Sequence, residues 1–271
     1  MSILVTGGTG LLGTRLLKRM VASGLNCRAI VRAGKSLPTG VDPVEADLLR
    51  PQSLKAAVEG VSAVVHLAAA LRTPEPDDIW KTNLDGTQNL IAATKQYAPD
   101  ARIIMASTGL VYNADSAHPA CEDDAVDPQK PYPASKVAAE NKLRESGLTW
   151  AILRLGFVYG DQDGHLQSIP KLADMFKWHP ANKLSLVHHR DVDTAINLAL
   201  TGAMDGQIVN IVDEAPMSVY EITRLIGGSM QPSAAPLANP WFGQLDGTRA
   251  RNLGFQPAVS SLHQSHRDGT L

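Results

Sequence analysis

The chain has little cysteine: two residues, Cys27 and Cys121, in 271. Two separated thiols build neither a disulfide framework nor a paired Cys-x-x-Cys metal site, and they fit a reducing compartment. It also lacks an excess of either charge. Its 25 Lys and Arg against 27 Asp and Glu leave a formal net charge of -2. With no long basic run, no nucleic-acid partner is expected. No apolar run reaches the roughly 18–20 residues of a membrane span. The opening MSILVTGG turns to glycine too early for a signal peptide. The expected location is therefore cytoplasmic, with no membrane partner. There is no His-Glu-x-x-His motif and no convergent acid cluster, so no metal is expected. Internal repeats and long disordered tracts are absent as well.

What is present is an ordinary globular composition, 44% hydrophobic and 19% charged. The length suits one large domain, or one domain with a smaller companion. Short apolar runs stand at 3–5, 27–31, 44–46, 63–67, 102–106, 150–154 and 208–212. Helical patterns lie between them at 11–23, 53–59, 84–97, 133–146 and 168–178. Runs apolar throughout suit parallel strands covered on both faces, and the alternation predicts right-handed crossovers. The fold class read from this is α/β, a doubly wound parallel sheet of the Rossmann kind, with a small irregular C-terminal substrate lobe. The core is expected over 1–155, with 186–213 returning to it. The lobe takes 156–185 and 214–271, where glycine and proline thicken. The final SSLHQSHRDGTL reads as a frayed tail.

TGGTGLLG at 6–13 follows the first strand and opens the first helix. Gly7, Gly10 and Gly13 recur every third residue, with Leu11 and Leu12 between the last two. Such glycines permit a tight turn, let backbone approach a pyrophosphate, and let helix and strand pack closely. The helix N-terminus adds free N–H groups and positive dipole. Where NAD sites carry an acid at the end of the second strand, this chain has Arg32, with Lys35 nearby. An arginine can pair bidentately with a 2′-phosphate, so NADP(H) is expected over NAD(H). After the third strand, Asp47 and Leu48 can receive the adenine, or Asp47 can cap the following turn.

Further motifs follow in order: VVHLAA at 64–69, NLDGTQNL at 83–90, STGLVY at 107–112, YPASK at 132–136, LRLGFVYG at 153–160 and HHRDVDTA at 188–195. Together with the glycine loop they resemble the extended short-chain dehydrogenase/reductases, also called the NAD-dependent epimerase/dehydratase family. The resemblance covers about residues 2–257. It implies catalytic roles for Thr108, Tyr132 and Lys136. It implies cofactor-side roles for Gly7, Gly10, Gly13, Asp47, Leu48, Ala68, Asn83 and Ser107, and for Tyr132 and Lys136 again. It also implies a homodimer through the helices near 84–97 and 133–146.

The chemistry agrees. Residues four apart share a helix face, so Tyr132 and Lys136 stand together. A phenol has a pKa of about 10, and a neighbouring ammonium together with the positive nicotinamide ring of oxidised cofactor is expected to lower it. Tyr132 then exchanges a proton with a carbonyl or alcohol oxygen that Thr108 orients. Gly109 and Leu110 stand where the family's dehydratases carry Asp-Glu, so dehydration is not expected. His66, His188 and His189 read as structural. Trp178, Trp241 and Phe242 pack the lobe or wall an apolar pocket. The leading expectation is an NADP(H)-dependent oxidoreductase interconverting a carbonyl and a secondary alcohol on a small-molecule substrate. The alternative is a nucleotide-sugar epimerase holding NAD(P). A nucleotide-sensing regulator on the same fold comes third, because such proteins tend to lack the tyrosine–lysine pair.

Overall fold

Seven of the apolar runs lie side by side in one parallel sheet. The structure is a computed structural model and describes residues 2–71, 73 and 75–271. In chain order the core elements are β1 (Ser2–Thr6), α1 (Leu11–Ala22), β2 (Asn26–Val31), β3 (Asp42–Glu45), α2 (Lys55–Val58) and β4 (Ala63–His66). There follow α3 (Pro76–Trp80), α4 (Gly86–Tyr97), β5 (Arg102–Thr108), α5 (Pro131–Arg144) and β6 (Trp150–Leu155). The strand Gln207–Ile211 completes the sheet beside β6. Across the sheet the order is Gln207–Ile211, β6, β5, β4, β1, β2, β3. Val5 of β1 pairs with Ala29 on one side and Val65 on the other.

The chain leaves β1 in one direction, through β2 and β3, and returns to β4 to run the other way. The C-terminal ends of β1 and β4 therefore diverge, opening a crevice at the switch point where ligands of such sheets bind. Two apolar layers hold the sheet. One packs Leu16, Leu17 and Met20 of α1 with Val192 and Ile196 against Ile3 and Val5. The other packs Leu90 of α4 and Ala139 and Leu143 of α5 against Leu4, Val64 and Ile103. Alternate residues of β1 thus enter opposite layers, as the two-residue repeat of a strand demands.

A third cluster gathers later segments: Tyr159, Ile169, Leu186, Met217, Ile222 and Leu262. Two expectations change here. The helix His189–Leu200 stands where no helix was expected. Its Val192, Ala195, Ile196 and Ala199 carry the helical spacing, but the charged first turn hides it from a search for apolar runs. The last residues are not a frayed tail. Ser261 caps a helix over Leu262–Arg267, and Asp161 and Gln162 donate their N–H groups to the carbonyls of Thr270 and Leu271, each at 2.8 Å. No helix among the described residues is long and apolar enough to cross a membrane.

Candidate active site

The glycine loop turns directly out of β1 into the crevice. Gly7 has a φ of +72°, and a Cβ there would come within 2.7 Å of the Ala68 nitrogen. Only glycine meets both demands. A Cβ on Gly13 would stand 2.2 Å from the Gly7 oxygen, so the missing side chain is what lets α1 start so close to the loop. Gly10 caps α1 without a side-chain hydrogen bond, and Gly10 and Leu11 are exposed while Leu12 is half-buried. The first-turn N–H groups of α1 therefore carry no side-chain acceptor and face the crevice. These residues fit a dinucleotide pyrophosphate.

A buried polar chain ties this loop to β4 and α4. Thr87 donates to the Asn83 carbonyl at 2.6 Å, so its oxygen accepts from His66 Nε2 at 2.9 Å. Nδ1 is then the acceptor, taking the Thr6 hydroxyl proton at 2.7 Å, while the Thr6 oxygen accepts from the Ala68 N–H. Burial, with Lys136 nearby, holds the His66 imidazolium pKa down to about 3. His66 is thus the neutral structural histidine the sequence suggested.

Asn83 is buried and fully engaged. It bonds both polar groups of Ala70, at 2.7 and 3.0 Å, and donates to Ser135 at 3.0 Å. Ser135 in turn donates to the Tyr132 carbonyl at 2.7 Å. Asn83 therefore links the β4 loop to α5. The Asp47 carboxylate accepts from the Leu49 N–H at 2.9 Å and so caps the turn after β3. Leu48 is buried against Gly86, and Ala68 lines the loop beside Gly7. Arg32 is exposed just past the end of β2, in a turn closed by the Lys35 N–H on its carbonyl.

Thr108 ends β5, and its hydroxyl accepts from the Leu110 N–H at 3.2 Å. Tyr132 and Lys136 lie one turn apart on α5, with Tyr132 half-buried and Lys136 fully buried. The protein's own groups act on the tyrosine in the opposite direction to the expected depression. Burial pushes the Tyr132 hydroxyl up to about 12, and the bond to Thr108 only partly opposes it. Lys136 moves the other way, down to about 8, because burial outweighs the pull of Glu140. Among the described residues no charge from Lys136 reaches Tyr132 strongly enough to reverse that order.

Glu140 was not anticipated. It stands one further turn along α5, completing a Tyr-x3-Lys-x3-Glu face. Its carboxylate accepts from Arg154 at 2.7 and 3.3 Å, and from the Ser107 hydroxyl. Ser107, expected on the cofactor side, donates its hydroxyl proton to Glu140. Arg154 also stacks over the Tyr112 ring at 4.9 Å, and Tyr112 donates to Asn210 at 2.7 Å. The i, i+4, i+8 spacing and the arginine of LRLG were the available signals. Asn113 holds its loop by accepting from the Asp127 N–H at 3.2 Å. His188 caps the helix His189–Leu200, and His189 pairs with Asp163 at 2.8 Å, so both are structural.

The family model described as the NAD dependent epimerase/dehydratase family matches residues 3–211. The chain belongs to that family. A decarboxylating sterol-4-alpha-carboxylate 3-dehydrogenase of Dictyostelium discoideum is 27% identical over 233 residues, 78% of this chain and 71% of that protein. A 4-hydroxy-2-methyl-3-oxo-4-farnesyl-3,4-dihydroquinoline-1-oxide ketoreductase of Stigmatella aurantiaca is 28% identical over 254 residues, 83% and 72% of the two chains. The solved UDP-glucose 4-epimerase of Thermotoga maritima, with UDP-glucose, superposes with a TM-score of 0.80. It is 24% identical and covers 98% of this chain and 96% of its own, a likeness of fold. The family is nicotinamide-dinucleotide dependent and enzymatic, with oxidoreductases and epimerases among its members.

Proposed function

We propose that this chain is an NADP(H)-dependent oxidoreductase that interconverts a carbonyl and a secondary alcohol on a small, largely apolar molecule. The observation that carries the reading is the placement of Thr108 at the end of β5 near Tyr132, with Lys136 one turn further along α5. A protonated phenol is the form that donates to a carbonyl oxygen during reduction. Thr108 orients that oxygen and stabilises charge developing on it. A nicotinamide dinucleotide held by the glycine loop, Lys136 and Arg32 would supply the hydride. Lys136 offers a buried amine to ribose hydroxyls, and binding oxygen acceptors favours its protonated form. In the oxidative direction Tyr132 first releases its own proton to solvent and then takes the alcohol proton as the phenolate.

Phe176, Trp178 and Phe242 form a run of contacting rings with centroids 5.9 and 6.1 Å apart. Lys130, two residues before Tyr132, lies over Phe176 at 4.4 Å. Leu110, two residues after Thr108, is 55% exposed. These support an apolar wall beside the reacting oxygen, and the segments that build it serve as the substrate lobe. We also propose the homodimer through α4 and α5 that the resemblance implies; light scattering on the purified chain tests it.

NADPH oxidation with a panel of apolar ketones tests the reaction. Tyr132→Phe is expected to lower kcat by about 10²–10⁴-fold while leaving nucleotide affinity within a few-fold. Turnover that survives this change would remove Tyr132 from the chemistry. A second reading, the nucleotide-sugar epimerase, draws on the fold likeness to the Thermotoga enzyme. Interconversion of UDP-glucose and UDP-galactose without added nucleotide would favour it.

A further inference from the structure

The loop between β5 and α5 carries a group of side chains that the proposed reaction does not use. Among the described residues, His118, Cys121 and Asp124 place an imidazole nitrogen, a sulfur and a carboxylate oxygen all within 4.8 Å of one another. They form a His-x-x-Cys-x-x-Asp run that a turn folds together. The Asp124 N–H donates to the Cys121 carbonyl at 3.1 Å, and the Cys121 N–H donates to Asp124 Oδ2 at 2.8 Å. This leaves Oδ1 facing His118 Nε2 at 3.8 Å, too far for a direct hydrogen bond.

The other side of the imidazole decides its tautomer. His118 Nδ1 lies 2.9 Å from the Pro119 carbonyl oxygen, which can only accept. The ring proton of the neutral form therefore sits on Nδ1, and the Nε2 lone pair points towards the carboxylate. A backbone carbonyl on the far nitrogen is the usual outer support of a metal-binding histidine. Bonds of about 2.0–2.3 Å at a tetrahedral angle set donor atoms roughly 3.3–3.6 Å apart. The His118–Asp124 separation of 3.8 Å stands close to that range, and all three donor atoms lie within 4.8 Å of one another.

We propose that His118, Cys121 and Asp124 bind one borderline-soft divalent cation, zinc foremost, with solvent as a fourth ligand. Sulfur with imidazole selects zinc over magnesium or calcium, which prefer all-oxygen sites. On binding, bonds form from the metal to sulfur, nitrogen and oxygen. The S–H bond breaks and its proton passes to solvent, with no change of oxidation state. Asp246 adds negative charge around Cys121; Glu122 and Asp123 do too, although Arg249 pairs with both. His118 is exposed, and a cavity of about 250 Å³ opens beside it, so a hydrated ion can enter.

The site brackets Ala120, whose N–H donates to the Gln244 carbonyl at 2.9 Å and whose carbonyl accepts from Asp246 at 2.9 Å. A bound cation therefore fixes the turn from which Ala120 makes these two bonds. This site does not depend on the reaction proposed above.

Titration of the metal-stripped full chain with Co²⁺ tests it. One equivalent is expected to give a thiolate-to-cobalt charge-transfer band in the near ultraviolet, bleached by Zn²⁺ and not by Mg²⁺. Cys121→Ser and His118→Ala are each expected to weaken Co²⁺ binding at least about tenfold and leave NADPH affinity unchanged. If His118→Ala does not fold, Asp124→Asn takes its place. No band in the wild-type chain, or a band that survives Cys121→Ser and so belongs to Cys27, would overturn the proposal.

Discussion

Tyr132 and Lys136 are both held away from their charged forms by burial. The consequence for Lys136 has a definite sign. Its folded value, about 8, lies below the free value of 10.5. Between those limits the unfolded chain keeps a proton that the folded chain has lost, so its contribution to stability rises with pH across that window. The difference in denaturant midpoint between wild type and Lys136→Met is expected to shrink from pH 8 to pH 10.5. A difference independent of pH would mean that the amine is solvated. The pair itself was legible, because four residues on a helix always share a face. The direction of the tyrosine shift was not. It depends on how deep α5 sits, and nothing in YPASK encodes depth. Asp47 is similar: an acid after a strand serves equally as a ligand or a cap, and its bond to the Leu49 N–H at 2.9 Å depends on how the following turn folds.

The elements that matter most are the β1–α1 loop and α5. Gly13→Ala places a methyl group 2.2 Å from the Gly7 oxygen, so α1 must move away from the loop. Nucleotide affinity is expected to fall at least about tenfold while the far-ultraviolet spectrum is retained, since the change sits at the helix start. Titration of both proteins with NADPH checks this. Along α5, Glu140 joins Lys136 to Ser107, Arg154 and, through Arg154, Tyr112. Glu140→Ala leaves the Arg154 guanidinium buried without its partner, which is expected to cost about 3–5 kcal/mol in urea unfolding. Glu140→Gln keeps the shape and removes the charge that raises Lys136. Its stability profile is expected to turn at a lower pH than wild type. Strand positions were readable from apolar runs: all seven expected runs overlap strands of the sheet, and three of them, at 44–46, 63–67 and 208–212, extend one residue past the strand end. The helix His189–Leu200 and the capped segment Leu262–Arg267 were not, because each opens on polar residues and gains its stability from tertiary contact.

For the whole molecule, the topology places the crevice and the sequence orders its furnishings. The reversal of strand order between β1 and β4 brings residues 7–13, 68–70 and 83 together, and α5 reaches them through Asn83 and Ser135. The ordered motifs made this much legible. The C-terminal segments were harder, because Phe176, Trp178 and Phe242 meet across loops that have no period to read. The central claim is a reductase that exchanges NADP(H), and its nucleotide preference rests on Arg32, exposed just past the end of β2. The most direct test is fluorescence titration of nucleotide-free protein with NADPH and NADH, on wild type and Arg32→Ala. A charge-assisted contact to the 2′-phosphate is worth about 1.5–3 kcal/mol, or roughly 10–100-fold in Kd. NADPH is expected to bind tighter than NADH by that factor, to exchange freely, and to lose its advantage in Arg32→Ala. NAD that co-purifies with the chain and resists dialysis would contradict the account and put the epimerase reading first.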